Sequence, residues 1–258
     1  MSISGHRLLT AEREQLILDL LKRSDVLPVS SLSTKLGVSE ATVRRDLQHL
    51  HQRGLLERVH GGATVKVGSQ AELLFSDKEG KYSEEKQLIA QAALELIEEH
   101  DTIYLDGGST VLQLAKLLEA RSGLTIVTNS LMAASVLMES GHRLVLTGGE
   151  FRALSRTMVG PLSSAILENL TVDKAFMGTI GLTLEDGLST TDANEAFTKK
   201  LVMSRASQVI LLADQSKFSV PSFVNSGALE DLHVVISDCV DEEFRQRFTD
   251  LGIKLILT

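Results

Sequence analysis

Apolar residues recur at helical spacing three times near the start of the chain. In "TAEREQLILDLLKRS", Leu16, Ile17, Leu20 and Leu21 form one stripe, and Thr10 is placed to cap its start. "VSSLSTKLGVS" predicts a short second helix closed by Gly37, a residue suited to the left-handed position after a helix. In "SEATVRRDLQHL", Val43, Leu47 and Leu50 fall at i, i+4 and i+7, with Ser39 as cap. That face is expected to be buried, which leaves Arg44, Arg45, Gln48 and His49 pointing away from it. The period then changes: Leu56, Arg58 and His60 alternate with Glu57 and Val59, and Gly61-Gly62 supplies a hairpin turn before "ATVKV". Helix, Gly-containing turn, helix and two-stranded wing make a winged helix-turn-helix.

Residues 66–82 hold no sustained period and mix Gly, Ser and charge, which marks a domain boundary. The expected division is a DNA-binding domain over 1–67, a linker over 68–80 and a second domain over 81–258. The second begins with "SEEKQLIAQAALELIEEH", a helix with Ile89, Ala93, Leu96 and Ile97 inward and Lys86 in its first turn. A cation there opposes the helix dipole and is ordinarily just solvated, unless an anion lies nearby. Beyond it, the apolar runs "TIYL", "LTIV", "RLVL", "KAFM", "QVILLA", "HVVI" and "KLIL" are mostly followed by helical patterns. Repeated βα units predict an α/β domain with a mainly parallel sheet and helices on both faces.

Charge divides unevenly between these parts. Residues 1–67 carry ten Lys and Arg against seven Asp and Glu, a formal +3, and the remainder carries 16 against 27, or −11. A basic head on an acidic body points to nucleic acid for the head alone. Arginine meets both phosphates and base edges through its planar donor fork. The expected DNA contacts are therefore Ser39, Thr42, Arg44, Arg45, Gln48 and His49 on the second helix of the motif, with Arg58 and His60 on the wing. The plainer alternative is a solvated arginine face that balances Glu40 and Asp46.

In open parallel sheets, ligands bind beyond the carboxyl ends of the strands. Those ends read Asp106-Gly107-Gly108-Ser109-Thr110, Thr128-Asn129-Ser130, Thr147-Gly148-Gly149, Gly178 with Gly181 close behind, and Asp214-Gln215-Ser216-Lys217. Glycines admit a close approach, hydroxyls donate, and a helix start presents free N–H groups to an anion. The first loop is neither a Walker A sequence nor G-x-G-x-x-G, so no nucleotide is indicated. The single cysteine excludes an internal disulfide framework, and the seven histidines show no metal spacing. No secretory leader and no membrane-length apolar run are visible, so a cytoplasmic protein without cofactor or metal is expected.

Both halves resemble the DeoR-type bacterial transcription regulators. The head does so through "LGVSEATVRRDLQHLHQRGLLERVHGGA", and the body through "LDGGSTV", "IVTNS", "LTGGEF", "DKAFMGTIGL", "GLSTTDANEAFTKKLV" and "LLADQSKF". The resemblance implies a body similar in fold to ribose-5-phosphate isomerase, and a regulator, more often a repressor than an activator, that answers to a phosphorylated sugar or polyol. By that pattern Asp106, Gly107, Gly108, Ser109 and Thr110 hold phosphate, and Asn129, Gly149, Asp192, Glu195, Lys199, Asp214 and Lys217 surround the remainder. Glu195 and Lys199 are also an i,i+4 pair, for which a surface ion pair is the plain alternative. One winged helix reads a short site, so a homodimer or homotetramer on repeated operator half-sites is expected. The rival function is a sugar-phosphate isomerase with an added DNA-binding head. Glu150, Asp192 and Asp214 are its candidate bases, but the acidic cluster after a Gly-Ala pair expected of such isomerases is absent. No catalytic residues are therefore expected.

Overall fold

Among the described residues, three helices and a three-stranded sheet build the first of the two units into which the chain divides, Met1–Leu73 and Leu74–Thr258. The computed structural model describes residues 10–21, 26–52, 56–59, 61–64 and 73–258. In the first unit, α1 (Thr10–Leu21), α2 (Val29–Leu36) and α3 (Glu40–Gln52) accompany β1 (Val26–Pro28), β2 (Glu57–Val59) and β3 (Gly62–Thr64). Val43, Leu47 and Leu50 are all buried, as their spacing requires, and they pack with Ile17, Leu21, Leu32 and Leu36. Gly37 closes α2 at φ 66°, with its N–H on the Ser33 carbonyl, and the Ser39 hydroxyl accepts the Thr42 N–H at 3.2 Å.

A buried ion pair ties α1 to α3. Arg13 Nε lies 2.5 Å from Asp46 Oδ2 and Nη2 lies 2.9 Å from Oδ1, both side chains almost fully enclosed. Hydrogen bonding to Asp46 raises the guanidinium pKa further. Asp46 is thus an internal tie and not the surface counter-charge that the plain alternative supposed. In the wing, β2 and β3 pair antiparallel, with Arg58 opposite Ala63. The other edge of β3 takes β1, a strand with no visible period because it is three residues long.

The second unit opens with α4 (Phe75–Glu79) and α5 (Ser83–Leu94), followed by β4 (Thr102–Leu105), α6 (Ser109–Leu117), β5 (Thr125–Thr128), α7 (Leu131–Leu137) and β6 (Arg143–Leu146). A hairpin of β7 (Glu150–Arg152) and β8 (Thr157–Val159) comes next, then α8 (Ser164–Leu167), β9 (Val172–Met177), β10 (Gly181–Thr183), β11 (Gly187–Thr190) and α9 (Ala193–Met203). The chain ends with β12 (Ala206–Leu212), β13 (Val224–Gly227), β14 (Val234–Ser237), α10 (Glu242–Asp250) and β15 (Lys254–Leu257). All seven apolar runs enter one seven-stranded sheet, ordered β15-β14-β12-β9-β4-β5-β6, whose pairings are all parallel. Ile103 and Leu105 face α5, α6 and α7, while Tyr104 faces the side covered by α9 and α10. Burial on both faces explains the continuous apolar runs.

Two differences from the sequence reading matter for the site. Residues 74–80, expected to end a linker, include α4 and belong to the second unit, because Phe75 is buried in its core. The β7–β8 hairpin and the antiparallel β10-β11-β13 sheet were not foreseen, since strands of three or four residues show too little period to read. Helix α5 also stops at Leu94, short of Leu96 and Ile97, although Ile97 still packs in the core.

Removing one partner of a buried ion pair leaves an uncompensated charge. Asp46→Ala is expected to destabilise the first unit by roughly 3 kcal/mol. In chemical denaturation of the full chain, the head transition should move to lower denaturant while the body transition stays in place. An unmoved head transition would remove the pair's structural role.

Candidate functional site

The free face of α3 carries Arg44 and Arg45, both exposed. Arg44 reaches back one turn to Glu40, with Nη2 2.7 Å from Oε2 and both side chains roughly half exposed. Such a pair contributes well under about 1 kcal/mol, so a phosphate competes with it easily. Arg58, on the wing strand, donates from Nη1 to Gln48 Oε1 and links wing to helix. The Ser39 and Thr42 hydroxyls lie 2.9 Å apart at the start of α3. His49 is turned toward α1, its Nδ1 3.7 Å from Glu14 Oε1. His60 lies outside the described residues.

In the second unit, the strand order supplies a site before any side chain is considered. From β4 the chain runs outward through β5 and β6, then returns to β9 on the other side of β4 and runs outward through β12, β14 and β15. The connections therefore diverge between β4 and β9, where a crevice opens at the carboxyl ends of the strands. Residues lining that cleft are Lys78, Gly107 to Val111, Ser155, Gly178 to Ile180, Glu195, Lys199, Leu212 and Lys217.

Asp106 ends β4 and organises this place. Its Oδ2 accepts the Gly178 N–H at 3.0 Å, from the turn after β9, and pairs with Lys199 Nζ of α9. Lys199 also donates to the Gly178 carbonyl at 2.8 Å. Gly107 has no room for a side chain, since a Cβ would come within 2.1 Å of Thr157 Cγ2. Gly108 then precedes α6 at φ 140°, with no capping side chain over the first amides of the helix. Those amides have no partner inside the helix and carry the positive end of its dipole. With the Ser109 and Thr110 hydroxyls, and with Lys78 and Lys217 lining the same cleft, they form a cradle for an anion.

The other expected residues divide into two groups. Glu195 lines the cleft and is not a surface residue: it is buried, 3.2 Å from Arg152 Nη1 and 3.8 Å from Lys199 Nζ. Asp192 caps α9 by accepting the Glu195 N–H at 2.9 Å. Asp214 is fully buried after β12; one oxygen accepts from the Ser216 amide and hydroxyl, and the other has no hydrogen-bond partner among the described residues. Neither Asn129 nor Gly149 lines the cleft; both are occupied with β8. Asn129 donates to the Met158 carbonyl at 3.2 Å, and a Cβ on Gly149 would come within 2.8 Å of the Val159 carbonyl oxygen. Glu150 is exposed at the start of β7. Burial pushes the Tyr104 phenol well above its usual range, with Asp106 and Glu195 adding to the shift.

Sequence reasoning missed Lys78, Arg152 and Ser155, and singled out Lys86 without placing it. Arg152 sits on a hairpin with no visible period, yet it reaches Asp192, Glu195, Thr191 and Ser155. Lys86 is 3 % exposed, not solvated, and donates to the carbonyls of Lys78 and Lys81 at 2.5 Å each. Burial pushes its ammonium down to about 8; Asp214 counters that, while Lys217 and Lys78 reinforce it. Among the described residues, no group of His, Cys, Asp or Glu is placed to hold a metal ion, and no helix is long and apolar enough to cross a membrane.

Two family models match the chain: the DeoR C terminal sensor domain over residues 81–239 and the DeoR-like helix-turn-helix domain over residues 13–67. The HTH-type transcriptional regulator GlpR of Haloferax volcanii is 36% identical over 250 residues, spanning 96% of this chain and 98% of its own. The lactose phosphotransferase system repressor of Streptococcus mutans is 34% identical over 242 residues, spanning 92% and 96%. Among solved structures, ribose 5-phosphate isomerase A of Methanocaldococcus jannaschii matches 52% of this chain and 53% of its own at 22% identity and a TM-score of 0.39, a distant likeness of fold.

The Lys86 shift carries a stability consequence. Its pKa is lower in the folded chain, about 8 against an ordinary 10.5, so across that window the unfolded chain binds more protons. Stability from this group therefore rises as pH climbs from about 8 to about 10.5. Lys86→Met should lack that rise. The measurement is denaturant unfolding of both proteins at pH about 7.5 and about 9.5, and parallel pH dependences would contradict it.

Proposed function

The chain belongs to the DeoR family of transcriptional regulators, and from that premise we propose that it represses a carbohydrate-utilisation operon under the control of a phosphorylated sugar or polyol. The head binds operator DNA through α3, with Ser39, Thr42, Arg44, Arg45 and Gln48 toward the groove and Arg58 on the flanking backbone. The printed name of the Streptococcus mutans relative supports repression of a sugar operon. One observation carries the effector reading: at the point where the strand order diverges, an uncapped helix start, two hydroxyls and three lysines line one cleft. A phosphate placed there meets N–H groups of Gly107 to Thr110 and the charge of Lys217, and the sugar extends toward Glu195 and Lys199.

That arrangement suits binding without turnover. A proton-abstracting base must be unencumbered and beside its carbon. None of the three candidate bases lines the cleft: Glu150 is exposed at the start of β7, Asp192 caps α9, and Asp214 is buried after β12 beside Ser216. Glu195 is held by Arg152 and Lys199, and Asp106 by Lys199 and the Gly178 amide. The body also exposes Met138, Leu162 and Phe223, apolar surface that favours a homodimer or homotetramer placing two heads on repeated half-sites.

Thermal shift and operator-release assays against a panel of aldose, ketose and polyol phosphates test the effector. Lys217→Ala should weaken the effector response, read as the ratio of operator affinities with and without sugar phosphate, by about tenfold. A full response at the wild-type effector concentration would place the pocket elsewhere. Arg44→Ala and Arg45→Ala should each cost about 1–3 kcal/mol of operator binding. Affinity of the parent should fall log-linearly with salt. Unchanged operator affinity in a folded double variant would refute the assignment.

A further inference from the structure

Among the described residues, two lysines are almost fully buried, Lys199 and Lys86, each 3 % exposed. They are held in different ways. Lys199 pairs with Asp106, and Glu195 lies 3.8 Å from it. Lys86 instead places two of its three ammonium hydrogens on backbone carbonyls, those of Lys78 and Lys81, at 2.5 Å each. Two carbonyl oxygens do not neutralise a charge, so its burial is only partly compensated.

The place of Lys86 in the fold ties it to the cleft. One of the carbonyls it grips belongs to Lys78 of α4, a residue that lines the cleft, so the ammonium fastens that wall from behind. On the neighbouring side, the fully buried Asp214 fastens the loop after β12 by accepting from the Ser216 amide and hydroxyl. Lys217 of that loop lines the cleft as well. Charges facing Lys86 come from each of these elements. Asp214 after β12 and Glu85 on α5 favour its charged form, whereas Lys217 and Lys78 oppose it. Burial outweighs them all and brings the ammonium to about 8, so its proton is held narrowly.

Resting on the effector reading above, we propose that Lys86 is a positioning residue of the effector cleft: its ammonium form holds the wall at Lys78, and an anion in the cleft binds together with a proton on Lys86. A phosphate in front of the buried ammonium adds negative charge and favours the protonated state. By reciprocity, the proton strengthens phosphate binding by the same factor. Loss of the proton also removes the charge-assisted character of both carbonyl bonds, which slackens the wall. The step is transfer of one proton from solvent to Nζ on binding, reversed on release.

Calorimetric titration of the full chain with the aldose, ketose and polyol phosphate panel, from pH about 7.5 to about 9.5, tests this. Phosphate monoesters have a second pKa of about 6 and stay dianionic across that window. Parent affinity should fall by about fivefold as pH rises through it. At pH about 8, heats in buffers of different ionisation enthalpy should show net proton uptake. Lys86→Met should bind at the weaker level that the parent reaches at high pH, with a flat profile and no uptake. Asp214→Asn removes a charge that supports the ammonium, so the midpoint of the profile should move to lower pH. A merely structural lesion would weaken binding equally at every pH. A parent affinity that does not change across the window, a fall that Lys86→Met retains, or a midpoint that Asp214→Asn leaves in place overturns the role of Lys86 and leaves the effector site standing. Binding by none of the probes overturns the effector site and this inference with it.

Discussion

The second unit depends on one buried carboxylate. Asp106 closes β4 at the point where the sheet's connections diverge, and its Oδ2 holds both the turn after β9 and Lys199 of α9. A charge at 3 % exposure persists only if it is fully engaged, and here the engagement joins two central strands to a helix on the other face. Once that node is made, Gly107 is pressed against Thr157, Gly108 must adopt φ 140°, and α6 starts with open amides. The open helix start at the cleft sits where the two strand ends are tied together.

The same node sets the electrostatic character of the cleft. Acidic as the body is, the carboxylates at this place are neutralised inside it: Asp106 by Lys199, Glu195 by Arg152 and Lys199. Beside these pairs the cleft is lined by the turn of Gly107 and Gly108, by Ser109 and Thr110, by Lys78 and Lys217, and by apolar Val111, Ile180 and Leu212. A net charge of −8 for the whole chain therefore says nothing about the sign of potential at this one site.

In the head, one kind of ion pair serves two purposes according to burial. Arg13 and Asp46 are enclosed and hold α1 on α3, whereas Arg44 and Glu40 share an exposed turn of α3. Breaking the first costs fold stability; breaking the second costs little in water. The Arg58–Gln48 contact extends the same exposed surface from helix to wing.

Much of this was legible along the chain, for a physical reason. The period of Val43, Leu47 and Leu50 made α3 and its free arginine face readable, and seven β-rich apolar runs named all seven strands of the parallel sheet. Both signals arise from local periodicity against a buried face, and the polar strand ends followed from those strands. Tertiary structure decided what has no local period. Strand order alone put the loops after β4 and β9 side by side and left Asn129 and Gly149 out of the cleft, occupied with β8. Long-range pairing alone brought in Arg152 on a three-residue hairpin strand and Ser155 in the turn beside it, Lys78 on a helix that reads as linker, and Lys86 onto the carbonyls of Lys78 and Lys81. Periodicity reports which face of an element is buried; it does not report which elements meet, because that depends on contacts between residues far apart in the chain.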